Sequence, residues 1–283
     1  MCELLYQYDV TVSIVAYKSN PEELEQAIRS LSDISLRIII VIIDNSPTEE
    51  LAPLCSALGT EYLYTGKNLG YGAAHNIAFK KFSASKYHLV LNPDVKFEHK
   101  VLEELVAFLE LNESVGLVMP RVLYPDGTSQ NLCKRLPTPF DILARRAFPQ
   151  VLKRVFHSRL SVFELCDMDM NKVLSVPFLS GCFMLIRKKV LNDIGVFDER
   201  FFLYFEDLDL TRRIHQQYHT VYYPGVTITH RHEKGSYKSA RILFYSIQSA
   251  FRYFNKWGWM YDRDRDRINN EIGPLRDIRI PVC

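Results

Sequence analysis

Apolar residues in this chain fall into short unbroken runs, separated by segments in which they recur every three or four positions. Residues 10–16 (VTVSIVA) and 38–43 (IIIVII) are β-branched runs without polar alternation. Strands of that kind are buried on both faces, which predicts a parallel sheet covered by helices. Between them Pro21-Glu22-Glu23 opens a helix predicted over 21–31, since proline fits the first turn and acids there complement the dipole. The pattern continues with a helix over 49–58, a short strand over 61–65, a glycine-bearing turn over 67–72 and a helix over 73–82. A further buried strand at 89–91 stops at Asn92-Pro93-Asp94, because proline cannot donate to a sheet ladder. This alternation predicts a doubly wound α/β domain with right-handed crossovers.

Beyond it the pattern predicts a helix over 100–111, strands over 115–120 and 182–186 (CFMLI), and renewed regular structure at 173–177. A short helix at 190–195 and an aromatic run at 201–205 precede a helix over 206–217 that begins Glu206-Asp207-Leu208-Asp209. A last strand at 220–223 is followed by Pro224-Gly225 and by His230-Arg231-His232. The stretch 134–159 differs from the rest: it holds seven Lys/Arg against one acid, Asp141, and Pro137, Pro139 and Pro149 break it into short pieces. It reads as an insertion, reaching to about 172, that is either a basic binding loop or a solvated face.

Composition narrows the function classes. With 47% hydrophobic and 24% charged residues in 283 positions, the chain is globular rather than disordered. A net charge of +2 gives no ground for a nucleic-acid partner. Six scattered cysteines, Cys2, Cys55, Cys133, Cys166, Cys182 and Cys283, form no CxxC pair, so neither a zinc site nor a disulfide framework is expected. Glu3 and Asp9 near the start argue against a signal peptide, and no apolar run approaches the ~20 residues that span a bilayer. A cytoplasmic protein, able to lie on a membrane surface, is the expectation.

Three strand ends carry polar groups: Asp44-Asn45, Asn92-Pro93-Asp94 and the acids of 206–209. Open α/β sheets bind ligands beyond the carboxyl ends of their strands, where these groups converge. Asp94 suits a hard divalent cation, Mg²⁺ or Mn²⁺, or else an Asx-type turn. Asp44 suits a nucleotide base or ribose, or a turn ahead of Pro47. Asn68-Leu69-Gly70-Tyr71-Gly72 before a helix resembles a phosphate-binding turn, yet it is neither a GxGxxG nor a P-loop. Glu206, Asp207 and Asp209 exceed what a helix start needs. Asp207 and Asp209 point apart on a helix, so one is a candidate general base and the other structural. His230 and His232 are candidate metal ligands or surface histidines.

The ordered set VSIVAY, DNS, NLGYGAAHN, NPDV, FLSGCFMLIRKKV and GVFDERFFLYFEDLDL, followed by a histidine, resembles family 2 glycosyltransferases of the GT-A fold over residues 10–236. It is most similar to the rhamnosyltransferase-like branch of bacterial surface polysaccharide synthesis, including O-antigen. The resemblance implies a Rossmann-like, mostly parallel sheet flanked by helices over 1–236, with 237–283 as a C-terminal amphipathic extension. It implies inverting transfer of a sugar, rhamnose from dTDP-rhamnose, to a lipid-linked saccharide. A UDP-hexose such as UDP-galactose or UDP-glucose is the alternative donor.

Carried over, Asp207 is the base, and Asp94 with His230 holds Mg²⁺ or Mn²⁺. Asp44, Asn45, Val15 and Tyr17 meet the nucleotide sugar from the first two strands. Asn68, Gly70, Gly72 and Asn76 do so from the glycine turn and its helix. Asn92, Ser180, Gly181 and Glu206 complete that set. The family's two-carboxylate DxD is here NPD, with one carboxylate.

The chemistry agrees with these roles: an acceptor hydroxyl needs a base, and the leaving diphosphate needs positive charge. A nucleotidyltransferase would be expected to carry a Gly- and Lys/Arg-rich loop near the first strand, and 16–20 (AYKSN) is not one. A non-catalytic nucleotide-sugar-binding protein is opposed by the intact Asp94, Asp207 and His230. Residues 237–259 contain no acid and four cations, Lys238, Arg241, Arg252 and Lys256. Leu243, Ile247, Phe251 and Phe254 recur there at helical spacing before Trp257 and Trp259. The segment is predicted either to lie in an anionic membrane surface or to pack on the domain with its aromatics inside.

Overall fold

The computed structural model describes residues 6–98, 100–231 and 240–281. His232, Lys238 and the rest of 232–239 lie outside the described residues, as do Cys2 and Cys283. The first half alternates as the pattern predicts: β1 (Tyr8–Ala16), α1 (Pro21–Arg29), β2 (Ile38–Asp44), α2 (Ala52–Ala57), β3 (Glu61–Tyr64), α3 (Tyr71–Lys81) and β4 (Ser85–Leu91). Next come β5 (Val95–Lys96), α4 (Lys100–Leu111) and β6 (Val115–Leu123). The basic stretch folds into three short helices, α5 (Pro139–Ala147), α6 (Gln150–Val155) and α7 (His157–Phe163). Then follow β7 (Leu174–Ser175), β8 (Phe183–Arg187), α8 (Lys188–Ile194), α9 (Glu206–His215) and β9 (His219–His230). The chain ends with α10 (Ala240–Trp257), α11 (Arg265–Asn270) and β10 (Gly273–Pro274).

All the strands join one sheet in the order β10-β7-β9-β6-β8-β4-β1-β2-β3, with β5 pairing β9 off that path. β1 to β4 are mutually parallel where they pair, and β6 is parallel to β9. β8 runs antiparallel between β4 and β6, so the sheet is mixed. A five-residue apolar run carries no mark of strand direction, and 182–186 reads the same either way. The core is continuous from β1 to β9, with Val12, Ile14, Leu89, Val118 and Leu185 at 0% exposure. α4 and α9 flank it, burying Leu105, Phe108, Leu210 and Ile214.

The last strand differs most from its sequence reading. β9 continues from His219 to His230 through Pro224-Gly225, which the pattern places after the strand. The ladder with β6 is interrupted between Pro120 and Arg121, where the partner jumps from Tyr223 to Thr227. Pro224, Gly225 and Val226 form that bulge, the place where a sheet tolerates proline. The continuation carries His230 into register with Val95 of β5, beside Asp94.

The C-terminal stretch is tied back to this body. Arg212 of α9 is 1% exposed and pairs with Asp262 at 2.6 Å, donates to the Tyr253 hydroxyl at 3.1 Å and stacks on Trp257 at 4.0 Å. Tyr253 and Phe254 of α10 enter a small core with Phe201, Phe205 and Leu208. Phe254 thus turns inward, whereas Leu243, Phe244, Ile247 and Phe251 on the same helix remain exposed. α10 seats Ser246 and Ser249 against the domain instead.

Beneath α3, the Ser13 hydroxyl lies 2.7 Å from His75 Nδ1 and 2.8 Å from His88 Nε2, all three side chains at 0% exposure. Burial holds the His75 pKa down to about 3 and His88 well below its ordinary value, with Lys188 adding to the second effect. Both rings fold neutral, while the unfolded chain takes up protons near pH 6.5. Stability is therefore full above that pH and declines as pH falls toward 3. His75 alone costs about 2 kcal/mol at pH 5. The urea midpoint is expected to drop between pH 7 and pH 5, with a shallower drop in His75→Gln; a flat profile contradicts this.

Candidate active site

Asp94 and His230 meet because two strands end together. β4 stops at Leu91, and the Asn92 amide donates to the Cys182 carbonyl at 2.9 Å, turning the chain into β5. Asp94 Oδ1 then lies 3.3 Å from His230 Nε2, which is also 3.3 Å from Asn92 Nδ2. The ring is 3% exposed, and its Nδ1 lies 3.0 Å from Gln130 Oε1. Among the described residues no group of three His, Cys, Asp or Glu gathers as a metal site. The pair nevertheless fits a cation completed by substrate and water, the way Mg²⁺ is held by one or two carboxylates plus phosphate oxygens.

The acidic corner is built by backbone strain. Tyr204 and Phe205 have φ of 67° and 69°, left-handed values that cost a non-glycine residue about 1 kcal/mol or more. Packing of Phe205 in the small core holds them there, and the sharp turn starts α9 at Glu206. Asp207 accepts from the Gly181 amide at 3.0 Å and the Leu208 amide at 2.8 Å. Gly181 precedes β8, whose Phe183 pairs with Leu91 of β4, so the amide that holds Asp207 lies at the strand end next to the one that leads to Asp94.

Glu206 is 4% exposed with no partner on Oε2, and burial, helped by the charge of Asp207, pushes its pKa up to about 8. Burial also raises Asp207, but the two amides and Lys134 oppose it. Two amides hold Asp207, whereas Glu206 Oε2 has no partner, so a proton on this pair is better placed on Glu206. Asp209, at 0% exposure, is bound by Arg213 at 2.8 Å, Lys256 at 2.7 Å and the Trp257 indole at 2.9 Å, so it is the structural acid.

A cavity of about 520 Å³ opens beside Asp94. Of the residues expected at the donor, Val15, Tyr17, Asn45, Asn68, Gly70, Asn92 and Asp94 line it. Asp44 does not: it is 0% exposed, with its oxygens accepting from the Tyr62 hydroxyl and the Ser46 amide, both at 2.8 Å. Gly72 and Asn76 are packed elsewhere. A Cβ on Gly72 would stand 2.8 Å from Phe197 Cβ, and the Asn76 amide bonds the backbone of Phe197.

The glycine turn is also corrected. Gly70 N donates to Asn68 Oδ1 and Tyr71 N to the Phe202 carbonyl, so both amides are taken within the protein rather than aimed at an anion. Gly70 is needed there because φ is +89° and a Cβ would meet that carbonyl at 2.4 Å.

Ser180, Gly181, Glu206, Asp207 and His230 stand outside the cavity lining. Tyr71 links the two sides, its hydroxyl 2.9 Å from Asn92 Oδ1 and 2.8 Å from the Gly181 carbonyl. Tyr71, Phe202, Arg241 and Tyr245, none of them expected at the donor from the sequence, also line the cavity, as do Ser19, Glu23, Pro93, Leu203 and Ile242. Arg241 is the one cation lining this cavity among the described residues. Its guanidinium donates to the Tyr245 hydroxyl at 3.3 Å, and Tyr245 stacks on Phe202. Its only sequence signal was a place on the amphipathic segment.

Residues 11–195 match the family described as glycosyl transferase family 2. The chain belongs to that family. It is 27% identical over 214 residues to the low-salt glycan biosynthesis hexosyltransferase Agl10 of Haloferax volcanii, covering 74% of this chain but only 62% of that protein. It is 26% identical over 235 residues to the N-acetylglucosaminyl-diphospho-decaprenol L-rhamnosyltransferase of Mycobacterium tuberculosis, covering 77% of this chain and 75% of that one. Among solved structures it resembles GalNAc-T7 bound to UDP, GalNAc and Mn²⁺, with a TM-score of 0.62 and 14% identity over 89% of this chain and 50% of that one. At that identity the likeness shows the fold, which is GT-A.

Proposed function

We propose that this chain transfers a sugar from a nucleoside diphosphate sugar to a hydroxyl of a lipid-linked saccharide, with inversion at the anomeric carbon. The observation that carries this reading is Asp94, paired with His230 and lining a cavity of about 520 Å³ that suits a small ligand, with the Gly181 amide that holds Asp207 at the neighbouring strand end. Val15, Tyr17 and Asn45 receive the nucleoside at the ends of the first two strands. Asn68, Gly70 and Asn92 line the path from there to Asp94. Asp94 and His230 would hold Mg²⁺ or Mn²⁺ there. When bound, that cation neutralises charge on the leaving group. Arg241 adds a second positive charge from α10, beyond the matched family segment.

Asp207 takes the acceptor proton as its oxygen attacks, and the Gly181 and Leu208 amides hold the carboxylate in place. A proton on Glu206 beside it keeps that carboxyl from competing. Ser180 and Gly181 present the sugar side of the same corner. The donor proposed is dTDP-rhamnose, supported by the rhamnosyltransferase named above. A UDP-hexose is the second reading, supported by the hexosyltransferase. Nucleoside diphosphate release from a donor panel, with and without a polyprenyl-diphosphate-linked saccharide, tests the proposal. Acceptor-stimulated release from one donor is expected; no release from any donor overturns it.

The acceptor's lipid gives the outer face of α10 a use. Leu243, Phe244, Ile247 and Phe251 are exposed on one helix face, flanked by Arg241 and Arg252. Leu143, Val151, Leu152 and Val155 are exposed on the basic α5–α6 pair. Ile142 of α5 packs on the same small core as Tyr253 of α10. No helix among the described residues is long and apolar enough to cross a membrane. Two apolar, cationic helical surfaces suit an anionic bilayer, each well-placed Lys or Arg adding about 1 kcal/mol. Salt-sensitive co-sedimentation with anionic liposomes is expected, and Phe244→Asp combined with Ile247→Asp should reduce it at least tenfold. Indifference to liposomes counts against a membrane partner.

A further inference from the structure

We propose that Gln130 is a positioning residue for the Asp94–His230 pair: its amide fixes the imidazole with the proton on Nδ1 and the Nε2 lone pair turned toward Asp94. The hairpin after β6 delivers this side chain. Tyr124 N donates to the Thr128 carbonyl at 2.8 Å, and Gln130 N returns to the Val122 carbonyl at 2.9 Å. Gln130 is 8% exposed, with Nε2 3.2 Å from the Leu123 carbonyl and 2.5 Å from the His230 carbonyl.

Both neighbours of that nitrogen are acceptors only, so the amide has a single sensible orientation; reversed, it would set an oxygen against two carbonyls. Oε1 therefore faces His230 Nδ1, at 3.0 Å, and a carbonyl oxygen there requires an N–H. A neutral ring with its proton on Nδ1 carries a lone pair on Nε2. That atom stands 3.3 Å from Asp94 Oδ1, so two electron donors lie side by side. Ligands at ~2.1 Å on neighbouring corners of an octahedron stand about 3 Å apart, which matches a shared divalent cation. One glutamine thus sets the ring's tautomer and, through the His230 carbonyl, the backbone that carries it. Partners of this kind typically change metal affinity ~10- to 100-fold.

The cation half of this inference rests on the reading under Proposed function; the tautomer half does not. The test uses the full-length metal-free protein labelled with [¹⁵N]histidine, with the His230 signals assigned by their loss in His230→Asn. Long-range ¹H–¹⁵N spectra at pH 8 should show the Nδ1–H form in the wild type. Gln130→Leu should admit the Nε2–H form, which can donate to Asp94. Electron paramagnetic resonance titration with Mn²⁺ alone should then show Kd raised ~10- to 100-fold.

An Nε2–H wild type overturns the proposal with no variant needed. So does a folded Gln130→Leu that keeps both tautomer and affinity. An Nδ1–H wild type that binds no Mn²⁺ upholds the positioning role and overturns the cation reading instead.

Discussion

Asp207→Asn is expected to lower kcat by a hundredfold to ten-thousandfold, the span of general base catalysis. Asparagine keeps the size of the side chain and one oxygen for the Gly181 amide, so the corner is kept while the proton acceptor is lost. Asp207 stands outside the cavity lining, so donor KM should change by less than about threefold. Glu206→Gln is the control. Burial and the charge of Asp207 raise the Glu206 carboxyl, so a neutral amide should replace it with little change in turnover. Equal losses in both variants, or a loss confined to Glu206→Gln, would move the base to Glu206.

Asp94→Ala is expected to act on the other side of the reacting centre. It removes the carboxylate that lines the cavity and stands 3.3 Å from His230 Nε2. Mn²⁺ binding should be lost, and kcat/KM should fall on the order of a hundredfold or more, through weaker donor binding and an unneutralised leaving group. EDTA should silence the wild type and added Mn²⁺ restore it. Full activity in excess EDTA would assign the diphosphate charge to Arg241, and Arg241→Ala would then carry the larger loss.

The alternation of strands and helices was legible because both signals are local: β-branched runs for β1, β2 and β4, capped amphipathic helices between them. Strand direction was not. β8 is antiparallel through its place between β4 and β6, which no residue of CFMLI encodes. The site was legible in its acids, since Asp94 ends a strand and Asp207 starts a helix. That Asp94 meets His230 depends on a two-residue strand, β5, and on a bulge that lets β9 run on to His230, and both are set by pairing partners far away in the chain.

The glycine turn misled for a related reason: Gly70 answers to the Phe202 carbonyl, a neighbour brought by the fold. Gln130 and Arg241 carry no motif, since their value comes from what stands opposite them. The amphipathic pattern allows a membrane face or a helix packed on the domain; α10 packs with Tyr253 and Phe254 inside and leaves Leu243, Phe244, Ile247 and Phe251 outside.

The proposed single displacement puts Asp207 as base on one face of the anomeric carbon and the leaving diphosphate on the other, where Asp94 and His230 would hold its cation. The anomeric configuration of the first product bears on it most directly. One-bond carbon–proton coupling at the transferred sugar, measured at early conversion against the donor's own, reads that configuration without reference to any variant. Inversion is the predicted result. A product that keeps the donor's configuration would contradict the account.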